Sequence, residues 1–170
     1  MKKITLLIVI FLVFSYMIYS IFIKKDGSDF VEKKMVTDSF ELSVSYPTLL
    51  EVGDVMEVEA TLKYIGDKEI WLEHGSGDMI IFVLVDPNGQ PVGNNADTGT
   101  GVTTKIGPNH EFTNMEKFKM KKKGIYRLKV FTDGLYQNNK PIEFGNVIGG
   151  KIFDTSSMYM DNLEITVEGN

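Results

Sequence analysis

The sequence predicts an all-β fold, an antiparallel β-sandwich of about seven to nine strands behind one transmembrane helix. Three observations lead there. Apolar density is concentrated in one early run without charge. Beyond it, apolar residues recur at every second position, the period of a half-buried strand. Those alternating runs are separated by Gly, Pro, Asn and Asp clusters at intervals of roughly 8 to 12 residues, the rhythm of short strands and tight turns.

Residues 4–23 contain no charged residue, Gly or Pro, and their polar side chains are Thr5, Ser15 and Ser20, whose hydroxyls can bond back to the carbonyls of a helix. At about 1.5 Å per residue such a helix is roughly 30 Å long, the thickness of a bilayer's hydrocarbon core. Lys2 and Lys3 followed by Leu6, Leu7 and Ile8 also suit a cleaved signal. Met17-Ile18-Tyr19-Ser20-Ile21 offers no small-residue cleavage site, however, so an uncleaved signal anchor over residues 1–23 is expected. Attachment as a lipoprotein requires a cysteine, and the chain has none. Lys24, Lys25, Lys33 and Lys34 compete with Lys2 and Lys3 for the inner side. A first helix with a basic N-terminus commonly inserts like a signal, and large domains translocate largely regardless of charge. With Tyr16, Tyr19 and Phe22 suited to the far interface, the expectation is a single-pass cell-membrane protein whose C-terminal domain is extracytoplasmic.

Residues 24–39 carry Lys, Asp, Gly and Ser with little periodicity and read as a polar linker. Residues 40–170 form the expected sandwich, one domain, which without cysteine must stand on its core alone. Phe40, Leu42, Val44 and Tyr46 make the first alternating row, stopped by Pro47. Met56, Val58, Ala60, Leu62 and Tyr64 make the clearest, with Glu57, Glu59, Thr61 and Lys63 on the other face. Residues 70–74 read as a short strand and residues 79–85 as a strand apolar on both faces, hence central. Asp86-Pro87-Asn88-Gly89 is a turn, because Pro presets the second position and Gly tolerates positive φ. Residues 102–106, 111–120, 124–132 and 162–168 supply the remaining strands.

Gly124-Ile125-Tyr126-Arg127-Leu128-Lys129-Val130 is similar to the penultimate strand of many bacterial immunoglobulin-like domains, where a Gly-x-Tyr-x-Leu pattern enters the core. Gly66-Asp67-Lys68-Glu69-Ile70 leading into His74-Gly75-Ser76-Gly77, then Phe82-Val83-Leu84-Val85-Asp86-Pro87-Asn88-Gly89-Gln90-Pro91-Val92, resembles the central motif of the bacterial intracellular proteinase inhibitor family. The resemblance implies an immunoglobulin-like sandwich and, as an alternative function, proteinase inhibition. Members of that family carry a tryptophan-containing strand after the Asp-x-x-Gly turn. Here that stretch is the polar Gly93-Asn94-Asn95-Ala96-Asp97-Thr98-Gly99, and the single tryptophan is Trp71. The anchor is a second departure. No reactive-site residue carries over.

No catalytic, metal or cofactor site is expected. His74 and His110 lack the spacing of a zinc helix. Ser76 between His74 and Asp78 sits in one turn, whereas triad members come from separate elements. Asp86, Asn88, Asn94, Asn95 and Asp97 supply oxygens, but the twelve-residue calcium loop with its closing glutamate is absent, and turn Asx residues bond their own backbone.

Two surfaces remain as candidates for recognition. Lys117, Lys119, Lys121, Lys122, Lys123, Arg127 and Lys129 fall in one predicted hairpin. Alternation places Lys117, Lys119, Arg127 and Lys129 opposite the apolar row of Phe118, Met120, Tyr126, Leu128 and Val130. One basic face for an anionic envelope surface follows, weighed against an ordinary solvated strand face. Glu51, Asp54, Glu57, Glu59, Asp67, Glu69, Glu73 and Asp78 make the first half acidic, so the net charge of -5 is unevenly spread. Residues 133–161 are too long for a simple turn and are apolar in part. They add an extra hairpin or project a recognition loop bearing Tyr136, Phe144, Phe153 and Tyr159. Nucleic acid is not an expected partner, because the chain is acidic and its lysines are not interleaved with aromatic residues. The function expected is a non-enzymatic binding module of the cell envelope. The alternatives are a proteinase inhibitor or an accessory subunit of a membrane complex.

Overall fold

Burial on alternate sides of each strand organises the structure. A computed structural model describes residues 30–75, 78–93, 101–143, 147–148, 151–152 and 156–169. Residues 1–29, which include the expected anchor, lie outside the described residues. Among the described residues no helix is long and apolar enough to cross a membrane.

The first sheet has the order β1 (Phe30–Val36), β2 (Phe40–Pro47), β4 (Val55–Tyr64), β9 (Glu111–Lys119), all antiparallel. The second has β3 (Leu49–Glu51), β15 (Tyr159–Glu168), β10 (Gly124–Thr132), β6 (Ile80–Val85) and β7 (Pro91–Val92), with β3 parallel to β15 and the rest antiparallel. A third joins β12 (Lys140–Pro141), β11 (Tyr136–Gln137), β5 (Ile70–His74) and β8 (Val102–Ile106). β13 (Val147–Ile148) pairs with β14 (Lys151–Ile152).

The inner rows of the first two sheets face each other. Phe40, Leu42 and Val44 of β2 and Met56, Val58 and Leu62 of β4 are fully buried, as are Leu84 of β6, Leu128 and Val130 of β10 and Ile165 of β15. Each such side chain removed from water contributes about 1.5–3 kcal/mol, which is how a domain without disulfides is held together. Thr132, also fully buried, accepts a hydrogen bond at Oγ1 from the Met158 N–H at 2.9 Å. Pro47 ends β2, and the chain then switches sheets: Thr48 C=O accepts from Thr166 N–H at 2.9 Å as β3 begins.

The Asp86 turn forms as the sequence predicts. Gly89 N–H donates to Asp86 C=O at 2.9 Å, Gly89 takes φ 80, and the Asp86 carboxylate accepts from the N–H groups of Asn88 and Gln90. β6 lies inside its sheet, between β10 and β7, as expected of a central strand.

Four expectations are corrected or sharpened. Residues 30–36, read as part of the polar linker, form edge strand β1, paired from Phe30 with Pro47 to Val36 with Glu41. An edge strand buries little, only Val31 and Met35 in part, so the apolar period that betrays a strand is weak. Lys33 and Lys34 suit an edge that must not recruit another strand.

The second correction concerns residues 111–132. β9 and β10 are not a hairpin, because β9 pairs with β4 in the first sheet and β10 with β6 and β15 in the second. Their short connection crosses from sheet to sheet. Met120 exchanges backbone hydrogen bonds with Gly53 and Asp54, which holds the end of β9 beside β4.

The last strand starts at Tyr159, three residues before the predicted start, and absorbs an extra residue opposite Leu128 and Val130, with Asn162 at φ 56. Finally, residues 136–141 are an added hairpin. Its two-residue turn is Asn138-Asn139 at φ 53 and 57, the positive-φ pair that matches the twist of the flanking strands.

Candidate functional site

The predicted basic face is divided by the sheet assignment. Lys117 and Lys119 point outward from the first sheet, while Arg127 and Lys129 belong to the second. The two pairs therefore stand on opposite sides of the sandwich, and parity along each strand could not reveal this. Charges are also matched locally. Lys117 Nζ lies 2.6 Å from Glu57 Oε1, and Arg127 Nε lies 3.8 Å from Glu164 Oε1. Lys121 is exposed in the crossing connection. Its neighbour Lys122 is bound to Asp86 at 2.7 Å. That ammonium, followed by the Gln90 and Asn88 N–H groups, holds the Asp86 carboxyl below the usual carboxylate range.

The expected recognition residues also separate. Tyr136 stands on β11 and Tyr159 opens β15 in another sheet, half-buried with its ring 6.1 Å from that of Phe131. Burial raises the Tyr159 phenol above its ordinary value. Phe144 and Phe153 lie outside the described residues.

What the structure brings together is the outer face of the third sheet. Along β5, Leu72 is fully buried while Trp71 is 55% exposed. Register places Lys105 opposite Trp71, Thr103 opposite Glu73 on one side, and Tyr136 opposite Glu73 on the other. Opposed residues share a face, so Trp71, Glu73, Thr103, Lys105 and Tyr136 look outward together. Leu72, Ile106 and Leu135 anchor the sheet's other side in the core. Lys105 is tied to Glu69 at 2.8 Å. Glu73 Oε1 accepts the Asn139 N–H at 3.1 Å, which pins the added hairpin to β5. The Tyr136 ring lies across Gly134, where a Cβ would come 3.0 Å from Tyr136 Cε2. Beyond this face opens a cleft of about 480 Å³ lined by Glu73, His74, Gly75, Thr103, Asp133 and Tyr136, among others.

His74, for which no catalytic role is expected, is held at both ring nitrogens. Its Nδ1 bonds Gly75 C=O at 2.6 Å, its Nε2 bonds Thr104 Oγ1 at 3.2 Å, and Phe112 meets the ring edge-on. Ser76 lies outside the described residues, as do Asn94, Asn95 and Asp97 of the oxygen-rich loop. Among the described residues no three His, Asp or Glu side chains converge as a metal would need. The Trp71 face could have been suspected from one signal, a tryptophan out of phase with the buried Leu72. The Tyr136 partner could not, since it is 65 positions away.

Strand order then defines the class. β2, β4 and β9 occupy the places of strands A, B and E of an immunoglobulin-like sandwich, and β6, β10 and β15 those of C, F and G. Near the start of β10, Tyr126 Oη bonds the backbone of Lys122, the tyrosine corner of such folds. The chain is an immunoglobulin-like β-sandwich carrying an added third sheet.

No family model and no curated protein matches the chain. Among solved structures it is similar to the CARDB domain of a Pyrococcus furiosus protein in complex with di-metal ions, at 15% identity over 80% of this chain and 95% of that one, TM-score 0.41. It is also similar to a chain of the complex between zinc 2-glycoprotein and prolactin inducible protein from human seminal plasma, at 10% identity over 84% and 99% of the two chains, TM-score 0.42. A putative lipoprotein from Bacillus subtilis matches at 14% identity over 78% of this chain and 38% of that one, TM-score 0.39. Of the residues that resemble the proteinase inhibitor motif, Ile70 and His74 bound β5 and Phe82 to Val92 fold as the end of β6, the Asp86 turn and β7, where the turn chemistry accounts for Asp86 and Gly89.

Proposed function

We propose that this protein is a non-enzymatic recognition module, tethered to the cell membrane by residues 4–23 and presented outside it, that engages its partner through the outer face of the third sheet. One observation carries the reading. The part of the molecule that exceeds the plain sandwich is also the part that exposes Trp71. A large aromatic side chain left half in water costs stability that burial would have provided, and such residues are enriched at the centres of interfaces. Support for the tether is the charge-free apolar run and the basic residues before it.

The test uses the full chain in intact cells. A photoreactive phenylalanine analogue at position 71 is expected to give a discrete adduct, and the same analogue at position 119, on another sheet, is not. No adduct at 71 to either protein or glycan, or equal adducts at both positions, rejects the reading. An epitope tag after Asn170 reports the side of the membrane: removal by added protease without lysis supports the external placement, and protection until lysis rejects it.

A further inference from the structure

We infer that the Trp71–Tyr136 face is a glycan-binding platform for an uncharged or weakly cationic oligosaccharide chain, an inference that rests on the recognition role proposed above. A sugar ring is a mixed object, with C–H groups on its faces and hydroxyls around its edge. Its complement is a flat aromatic ring beside hydrogen-bonding groups. Trp71 and Tyr136 supply the rings. Tyr136 is opposite Glu73, and Trp71 is two residues from Glu73 on the same strand, so the two are diagonal neighbours about 7–8 Å apart at Cα. The Tyr136 ring leans over Gly134, toward the Gly75 end of the sheet and away from Trp71, so the two rings stand to either side of Glu73 and suit sugars spaced apart along an extended chain.

Between and beside the rings stand acceptors and donors suited to hydroxyls. The Glu73 carboxylate and the Thr103 residue lie in the same cross-strand row as Tyr136. Asp133 lines the cleft into which the row opens and accepts the Gly134 N–H at 3.0 Å. The platform is stiff. Its hairpin turn is bound to Glu73, the Tyr136 ring rests on Gly134, and Leu72 and Leu135 are fully buried beneath. Stiffness limits the ordering cost that weakens sugar binding.

Charge decides among occupants. The cation on this face, Lys105, is paired with Glu69, and neither Glu73 nor Asp133 forms an ion pair among the described residues. A polyanionic chain would meet uncompensated carboxylates, whereas neutral or amino sugars would not. A protein partner is disfavoured because the exposed aromatic side chains are separated by the Glu73 carboxylate, and a protein interface draws its energy from a contiguous desolvated core.

Trp71 is the single tryptophan, so its fluorescence reports on the site alone. The full chain in mild detergent is titrated with cellohexaose, with N-acetylchitohexaose and with its de-N-acetylated, cationic form. Binding of at least one probe is expected to shift Trp71 emission to the blue and shield it from acrylamide. Calorimetry is expected to show the affinity falling about tenfold in Tyr136→Ala and by more in Trp71→Ala, with cooperative thermal unfolding retained in both, since neither side chain belongs to the fully buried core. No response to any probe at millimolar concentration, or binding that survives Trp71→Ala, overturns the inference. A protein adduct at position 71 without any oligosaccharide response overturns the glycan and leaves the recognition face standing. Absence of both overturns the two together.

Discussion

The hydroxyl of Tyr126 is held by Lys122, four residues earlier, accepting its N–H and donating to its C=O at 3.1 Å each. This contact secures the point where the chain crosses from the first sheet to the second. Tyr126→Phe leaves both backbone groups without that partner at a part-buried site and is expected to cost about 0.5–1.5 kcal/mol. Urea denaturation at unchanged m value measures it. Leu128→Ala, two residues on and fully buried, is expected to cost about 2–5 kcal/mol through its cavity. A Tyr126→Phe protein as stable as the parent would show that the crossing is held by packing alone.

Gly124 and Gly53 separate two reasons for glycine. Both have positive φ, 129 and 101, but a Cβ on Gly124 would stand 2.8 Å from Pro87 Cγ while one on Gly53 meets nothing within 4 Å. Both alanine variants are expected to lose about 1 kcal/mol or more to backbone strain, and Gly124→Ala to lose clearly more. Equal thermal shifts would mean that Pro87 moves aside freely.

Acid stability follows from Asp86. Its folded-state ionisation is depressed, chiefly by the Lys122 ammonium, below the ordinary value of 3.8. Such a group stabilises the fold above its unfolded pKa, and that contribution is lost as pH falls from about 3.8 through the lower folded value. Asp86→Asn is expected to lower the melting temperature at neutral pH and to flatten its fall in this acid range. Glu116 has the opposite sign. Burial, with the Asp78 charge second, raises its ionisation above 4.5, so its charge costs stability at neutral pH and the cost disappears as pH falls through that raised value to 4.5. Glu116→Gln is expected to raise the melting temperature at pH 7 and to make no difference well below pH 4.5.

The Asn138-Asn139 turn makes a gentler prediction. Both residues are left-handed, and the contact with Glu73 uses the backbone N–H of Asn139. Asn139→Gly is therefore expected to keep the hairpin and to be neutral or slightly stabilising, because Asn-Gly is the preferred pair for this turn. Asn138→Val, whose branched side chain resists positive φ, is expected to release the hairpin, seen as faster amide exchange at Tyr136 and Gln137.

By itself, the sequence determined the elements that bury a full row of side chains. The rows of Phe40 to Tyr46, Met56 to Tyr64 and Tyr126 to Val130 were legible because alternation follows from the geometry of one strand and needs no partner. The Asp86 turn was legible for the same local reason, since Pro87 and Gly89 carry their backbone preferences with them. Only the tertiary structure decided which strands are neighbours. β9 and β10 are adjacent in sequence and lie in opposite sheets, so their lysines and arginine never form one face. Edge strand β1 is held by hydrogen bonds to β2 rather than by buried side chains, and leaves almost no apolar period. That Trp71 and Tyr136 share a face depends on the pairing of Tyr136 with Glu73, 63 positions earlier, and pairing over such distances is set by the packing of the whole sandwich, not by any local preference.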